Sequence, residues 1–279
     1  MNLSKNERVF VLDSMRWSYS SANAFSTCPR MFYLTYLEGH DRLPNAFAEW
    51  GSFGHSILEK YYKGELALFD LSSYYADHYK ENVETYFPPS RNNVMPTSYY
   101  NAGLVYFDAF EDPYHGDEIL GVEQKFQKNI GGHDFVGIID LIVKDKDSGD
   151  IFIVDHKSKS KFKSQEELHN YLRQLYLYSL YINETYEIDP SKLIFNMFRA
   201  QTTEEIPFDK AEQTAAVDWF NKTVDSVYKE EDFPANPSDY FCNYICSVRN
   251  QCEHSICCEK GGGAKRSSKR NSSSRQKKN

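Results

Sequence analysis

The chain has 279 residues, 41% hydrophobic and 15% aromatic with 21 Tyr and 19 Phe, enough apolar material for a proper core and too much for a disordered protein. No apolar run approaches membrane-spanning length, and Met1-Asn-Leu-Ser-Lys-Asn-Glu-Arg8 lacks a signal-peptide pattern, so a cytoplasmic protein with no membrane partner is expected (a bacterial host's cytoplasm if phage-encoded). The net charge is −8, and seven cations with no acid in residues 261–279 leave −15 on the rest, so global charge gives no support to a nucleic-acid partner and only a local groove could supply one.

In chain order, the first hundred or so residues read as mainly helical. Ser18-Tyr-Ser-Ser21 offers N-caps for a segment through Phe25, Phe32 and Leu37, which Pro29 either breaks or restarts. Further helices are expected over about 52–62, 70–86 and 98–111. Strands follow over about 118–128, 133–144 and 151–156, with Lys146-Asp-Ser-Gly149 as a turn. Ser164-Gln-Glu-Glu167 has the spacing of a capping box and opens a helix to about residue 183. A strand over 192–199 and a helix over 209–229 complete an α/β or α+β core with a helical cover. Residues 1–258 are expected to form one domain. The Gly, Ser, Lys, Arg and Asn tail over 259–279 is expected to be disordered, either as a solubilising extension or as a basic arm with affinity for phosphate.

The chemistry concentrates in two strands. Gly137-Ile-Ile-Asp140 and Ile151-Phe-Ile-Val-Asp155-His156-Lys157 are apolar runs that end in charge. Alternation puts Asp155 and Lys157 on one face of the sheet and His156 on the other. Two carboxylates and an ammonium at sheet ends suit a divalent-metal phosphodiesterase; a solvated hairpin with incidental charges is the plainer reading. His55 and Glu59 share a helical face at i, i+4, as do Gln174 and Tyr178, the latter also part of an apolar stripe with Tyr171 and Leu175. Glu123 could add another acid, but a solvated strand charge is the favoured account. Cys28 stands alone, while Cys242, Cys246, Cys252, Cys257 and Cys258 crowd together near the end. Without an export signal such a cluster favours a metal over disulfides. An iron–sulfur centre completed by Cys28, a zinc site drawing on His254, Cys257 or Cys258, and free buried thiols all remain open.

Taken together, Ser20-Ser-Ala-Asn-Ala-Phe-Ser-Thr-Cys28-Pro29, Gly54-His55, Gly137-Ile-Ile-Asp140, Asp155-His-Lys157, Gln174-x3-Tyr178 and the cysteine cluster resemble the RecB-type nucleases of the PD-(D/E)XK superfamily. The nearest branch is the iron–sulfur one, which includes CRISPR-associated RecB-like exonucleases, the AddB nuclease domain and phage homologues. The resemblance spans residues 18–252 and implies a restriction-endonuclease-like α/β core, a central mixed sheet flanked by helices. An N-terminal helical part over 1–112 and a C-terminal cysteine-rich segment would complete it. It implies a Mg2+- or Mn2+-dependent deoxyribonuclease, an exonuclease on single strands or DNA ends, serving recombination, repair, replication or phage DNA processing beside proteins of those pathways. His55, Asp140 and Asp155 would be the metal ligands, Asp140, Asp155 and Lys157 the catalytic group, and Gln174 and Tyr178 the positioning pair. Cys28, Cys242, Cys246 and Cys252 would hold a 4Fe–4S cluster, with Zn2+ as the alternative. One departure is Cys242-x3-Cys246, where the pattern has two intervening residues. The rival function is a DNA-binding subunit of a recombination or CRISPR-adaptation complex with little or no catalysis.

Overall fold

Paired serine caps start the first two helices. Ser4 accepts the Glu7 amide and Glu7 returns its carboxylate to the Ser4 N–H, opening α1 (Lys5–Ser14), an element absent from the sequence reading. Ser18 and Ser21 make the same exchange at α2 (Tyr19–Thr27). Cys28 ends that helix in extended backbone. Pro29, at a position where its missing N–H costs nothing, restarts the chain as α3 (Pro29–Phe32), which widens into a π-turn over Tyr33–Leu37. The computed structural model describes residues 3–90, 92 and 94–258, so the expected basic tail over 259–279 lies outside the described residues.

Helix α4 (Ala46–Tyr62) begins earlier than expected because Asn45 caps it, its Oδ1 accepting the Ala48 N–H at 3.0 Å. With α5 (Leu71–Asn82) and α6 (Met95–Asp108) it builds a separate core around Trp50, Phe53, Ile57, Tyr75 and Phe107. At its centre Trp50 Nε1 donates to the Tyr75 hydroxyl at 2.9 Å.

The sheet comprises β1 (Glu118–Ile130), β2 (His133–Lys144), β3 (Ile151–Lys157), β4 (Lys192–Met197) and β5 (Thr202–Pro207), in that spatial order. Only β3 and β4 run parallel. Parallel neighbours need a crossover, and α7 (Gln165–Tyr186) supplies it; α8 (Lys210–Lys229) follows β5. Strand β5 was missed because Thr-Thr-Glu-Glu-Ile-Pro is a largely exposed, polar edge strand without an apolar period. The expected capping box at α7 is half made. Ser164 accepts the Glu167 N–H at 3.1 Å, but the Glu167 carboxylate turns to Lys159 and to the Lys163 N–H instead of returning to the cap.

One sheet face carries Phe135, Ile139, Ile153 and Phe195 against α2, α7 and α8. The other packs Leu141, Val143, Phe152, Val154 and Ile194 against Tyr114. Strand β3 is covered on both sides, which is why Ile151–Val154 is a continuous apolar run rather than an alternating one. Trp17 joins the sheet beside β2, donating its N–H to the Asp134 carbonyl at 2.7 Å and accepting the Val136 N–H at 2.8 Å. This is the expected α/β architecture, a five-stranded mixed sheet flanked by helices. Among the described residues no helix is long and apolar enough to cross a membrane.

Candidate active site

The register Leu141↔Val154 sets Asp140 beside Asp155 where the pairing of β2 with β3 ends. Asp140 Oδ2 accepts the His156 N–H at 2.7 Å. Lys157 shares a strand face with Asp155 and closes on it, Nζ to Oδ2 2.6 Å. From α7, Gln174 Oε1 accepts from Lys157 Nζ at 3.2 Å, and Gln174 Nε2 donates to the Tyr178 hydroxyl at 3.0 Å. The Tyr171 ring lies under the same ammonium, 5.2 Å from its centroid. The i, i+4 pair on α7 is thus a clamp on the lysine. His55 arrives from α4, its Nδ1 3.4 Å from Asp140 Oδ2.

That approach depends on glycine. A Cβ at Gly54 would sit 2.8 Å from the Phe198 ring, and one at Gly51 would meet Ser158 Oγ at 3.0 Å. Gly54→Ala should therefore push α4 off the end of β4 and carry His55 away from Asp140. Activity should fall by about 10²-fold, since displacements of about 1 Å cost that much, while thermal melting shows a destabilisation of about 1–3 kcal/mol. Unchanged turnover in the variant would refute the dependence.

Glu123 corrects the sequence reading, which favoured a solvated strand charge. It is half-buried on β1 beyond a bulge, with φ +48°, and its carboxylate falls within 4.8 Å of ligand atoms of both His55 and Asp140. A left-handed conformation at a non-glycine residue costs of order 1–3 kcal/mol and clusters at functional sites. The signal was countable. Gly131 and Gly132 take φ +60° and +91° in a two-residue hairpin turn, and counting outward from it brings Glu123 opposite Asp140. His156 behaves as expected, its ring buried on the far face against Asn196, with Nδ1 3.0 Å from Asn196 Nδ2. Its backbone N–H enters the site, and its ring meets the His55 ring edge-on, with centroids 5.7 Å apart.

The electrostatics call for a cation. Burial first, and then the Asp155 charge, push Asp140 up to about 8. Burial and Asp140 likewise raise Glu123. Burial alone would lower Lys157, but the Asp155 charge and hydrogen bond more than offset it, so the ammonium is held. Burial lowers His55, which keeps its imidazole neutral and able to ligate. Crowded carboxylate oxygens with one neutral imidazole match the donor set of a hard divalent ion, so these residues fit one. The group opens on a cleft of about 1430 Å³.

Where the C-terminal segment meets the N-terminal helices, Cys28, Cys242, Cys246 and Cys252 are buried, whereas Cys257 is exposed and His254 lies beside Glu253 on the surface. Each of the four buried sulfurs accepts a backbone N–H: Cys28 from Asn236 at 3.4 Å, Cys242 from Ser238 at 3.3 Å, Cys246 from Val248 and Cys252 from His254. Burial first, and then the neighbouring cysteines, raise Cys246 to about 11, and burial raises Cys252.

A model of the PD-(D/E)XK nuclease superfamily matches residues 16–253, which contains every residue of the cleft's charged centre. The chain belongs to the PD-(D/E)XK nuclease superfamily. Among solved structures, this nuclease is similar to a protein of Eubacterium rectale provisionally described as an exonuclease, at 12% identity and TM-score 0.47, covering 84% of this chain and 90% of that one. It is also similar to the protein SSO0001 at 15% identity and TM-score 0.32, covering 72% and 95%. A search of curated proteins returns no match.

Proposed function

We propose that this nuclease is a Mg2+- or Mn2+-dependent deoxyribonuclease of the RecB-like kind, an exonuclease acting on single strands or DNA ends during recombination, repair, replication or phage DNA processing. The observation that carries the reading is the meeting of His55, Asp140 and Lys157, drawn from α4, β2 and β3, at one cleft, with Asp155 buried beneath them against Lys157. His55, Asp140 and Asp155 would hold the cation, with Glu123 beside them. When bound, that cation polarises the scissile phosphate and lowers the pKa of a water. Lys157, fixed by Asp155 and Gln174, keeps its charge and faces the negative charge that develops on the phosphate. Tyr178 secures Gln174 in turn. Incubation of end-labelled single and double DNA strands with Mg2+, with Mn2+ and after chelation tests the proposal. Metal-dependent release of label is expected, and intact strands under every metal condition would reject it.

The cation should also be visible without turnover. Saturating Mn2+, at about a hundredfold over its Kd, should stabilise the fold by about 2.7 kcal/mol, a rise in Tm of about 5–10 °C. Asp140→Asn keeps the acceptor for the His156 N–H and removes the repulsion with Asp155. Its metal-free Tm should equal or exceed the parent's while the Mn2+ response disappears. An equal Mn2+ response in both proteins would exclude Asp140 as a ligand.

We further infer that Cys28, Cys242, Cys246 and Cys252 hold a 4Fe–4S cluster. Tetrahedral zinc with bonds of about 2.3 Å needs sulfurs about 3.8 Å apart, yet among the described residues no three of these sulfurs lie within 4.8 Å of one another. The wider spacing and the four N–H···S contacts favour a larger inorganic group. The residue by which Cys242-x3-Cys246 exceeds the family spacing is absorbed in a π-turn over Phe241–Ile245, closed by the Cys246 N–H on the Phe241 carbonyl at 2.8 Å.

A further inference from the structure

Most lysines around the sheet are neutralised within the chain: Lys128 by Glu184, Lys144 by Glu118, Lys159 by Glu167 and Lys192 by Glu205. The cleft is different. Arg16, Arg42 and Lys125 line it, all three are exposed, and none pairs with a carboxylate among the described residues. In a chain of net charge −8, these three cations set positive charge beside the cleft's own acids, Glu59, Glu123 and Asp140.

Their placement follows the sheet. Ile138 lies two residues before Asp140 on the same face of β2, with Lys125 as its cross-strand neighbour on β1. Val136 comes two residues earlier again and hydrogen-bonds to Trp17, which holds Arg16 alongside. Asp140 to Val136 is about 13 Å of strand, the axial length of about four nucleotides of a stacked strand. Ile138 is 42% exposed at the middle of this track, an apolar side chain in solvent beside the catalytic carboxylates. On the α4 side of the cleft the Arg42 guanidinium lies over the Tyr36 ring, 5.0 Å from its centroid, as a flat cationic platform.

We propose that the β1–β2 face from Asp140 to Arg16 is the seat of one unpaired nucleic-acid strand, with Lys125 and Arg16 on its phosphates, Ile138 against a base next to the scissile bond, and the Arg42–Tyr36 platform stacking a second base. A duplex keeps its base faces stacked inside and out of reach of Ile138, whereas an unpaired strand offers charge and base faces together. The proposal rests on the nuclease reading and deepens it by assigning the strand's path.

Binding of labelled oligothymidylate and of a blunt duplex, measured without added divalent cation across a salt series, tests the path apart from catalysis. The parent should prefer oligothymidylate. Arg16→Ala/Lys125→Ala, both exposed substitutions, should bind it about tenfold more weakly and lower the salt slope by about 1.4, at about 0.7 per lost phosphate contact. Ile138→Ser and Arg42→Ala should each narrow the preference over duplex and leave the salt slope nearer the parent's. An unchanged slope in the double variant, or an unchanged preference in both single variants, overturns the path. If the parent meanwhile cleaves DNA with Mg2+ or Mn2+, the nuclease reading survives that failure. A parent that neither binds nor cleaves DNA would instead sink the nuclease reading itself.

Discussion

Lys157→Ala should lower metal-dependent DNA cleavage by about 10²–10³-fold, the loss typical of removing one preorganised charge-stabilising group from a water-poor site. A fall in stability should accompany it. Asp155 is 3% exposed and its Oδ2 rests 2.6 Å from the Lys157 ammonium, so deleting the lysine strands a buried carboxylate. Breaking one side of such a pair costs about 3–5 kcal/mol. Loss of activity in the single variant is therefore ambiguous, because a protein that melts also stops cleaving. Asp155→Asn/Lys157→Met separates the two causes. It removes both charges, should recover most of the melting temperature, and should still fail to cleave. If the double variant regained cleavage along with stability, the pair would be structural and the assignment of Lys157 would fall. Gln174→Ala provides a graded check, since it loosens the lysine without removing it. A loss of about tenfold or more in cleavage with little change in Tm is expected there.

Cys246→Ser should produce the second large effect. The purified parent should be brown, and the variant should lose the visible absorption and a large share of its stability together. Segment 234–258 is held to the N-terminal helices at several points. The Arg30 N–H donates to the Pro234 carbonyl at 3.2 Å, the Leu43 N–H to the Ser247 carbonyl at 2.7 Å, and the Arg249 side chain to the Pro44 carbonyl at 2.7 Å. Phe233 packs among Phe25, Phe32 and Tyr33. These contacts close a loop between residues more than two hundred apart, and a cluster bonded to Cys28 and Cys246 would make that closure covalent. Metal-dependent closure of folded sites is worth on the order of 10 kcal/mol in small domains, and part of that should appear here as a lower Tm and faster proteolysis of the C-terminal segment. A colourless parent carrying stoichiometric zinc, or a Cys246→Ser protein with parental colour and Tm, would reject the cluster. Cys257→Ser is the matched control. Cys257 is exposed, and among the described residues its hydrogen bonds are to the Asn243 carbonyl at 3.6 Å and, through its N–H, to the Ser255 hydroxyl at 3.1 Å, so it should change neither.

The sequence by itself determined the pieces with a short-range physical code. Alternation on β3 set Asp155 and Lys157 on one face and His156 on the other, because a strand has a period of two. The i, i+4 spacing of α7 joined Gln174 to Tyr178, and Pro29 restarted a helix where no N–H was needed. Order along the chain was enough to suggest the α/β sheet and the RecB-like resemblance. Tertiary structure decided what depends on distant partners. It turned Glu123 from a surface charge into a half-buried neighbour of His55, since burial is set by α4 crossing over β1 and not by the residues flanking Glu123. It separated the four buried cysteines from Cys257, Cys258 and His254, because access to solvent follows from where the C-terminal segment docks. It also brought Arg16, Arg42 and Lys125 of an acidic chain together in one cleft, without carboxylate partners among the described residues, a property of the surface that net charge, a sum over all residues, cannot express.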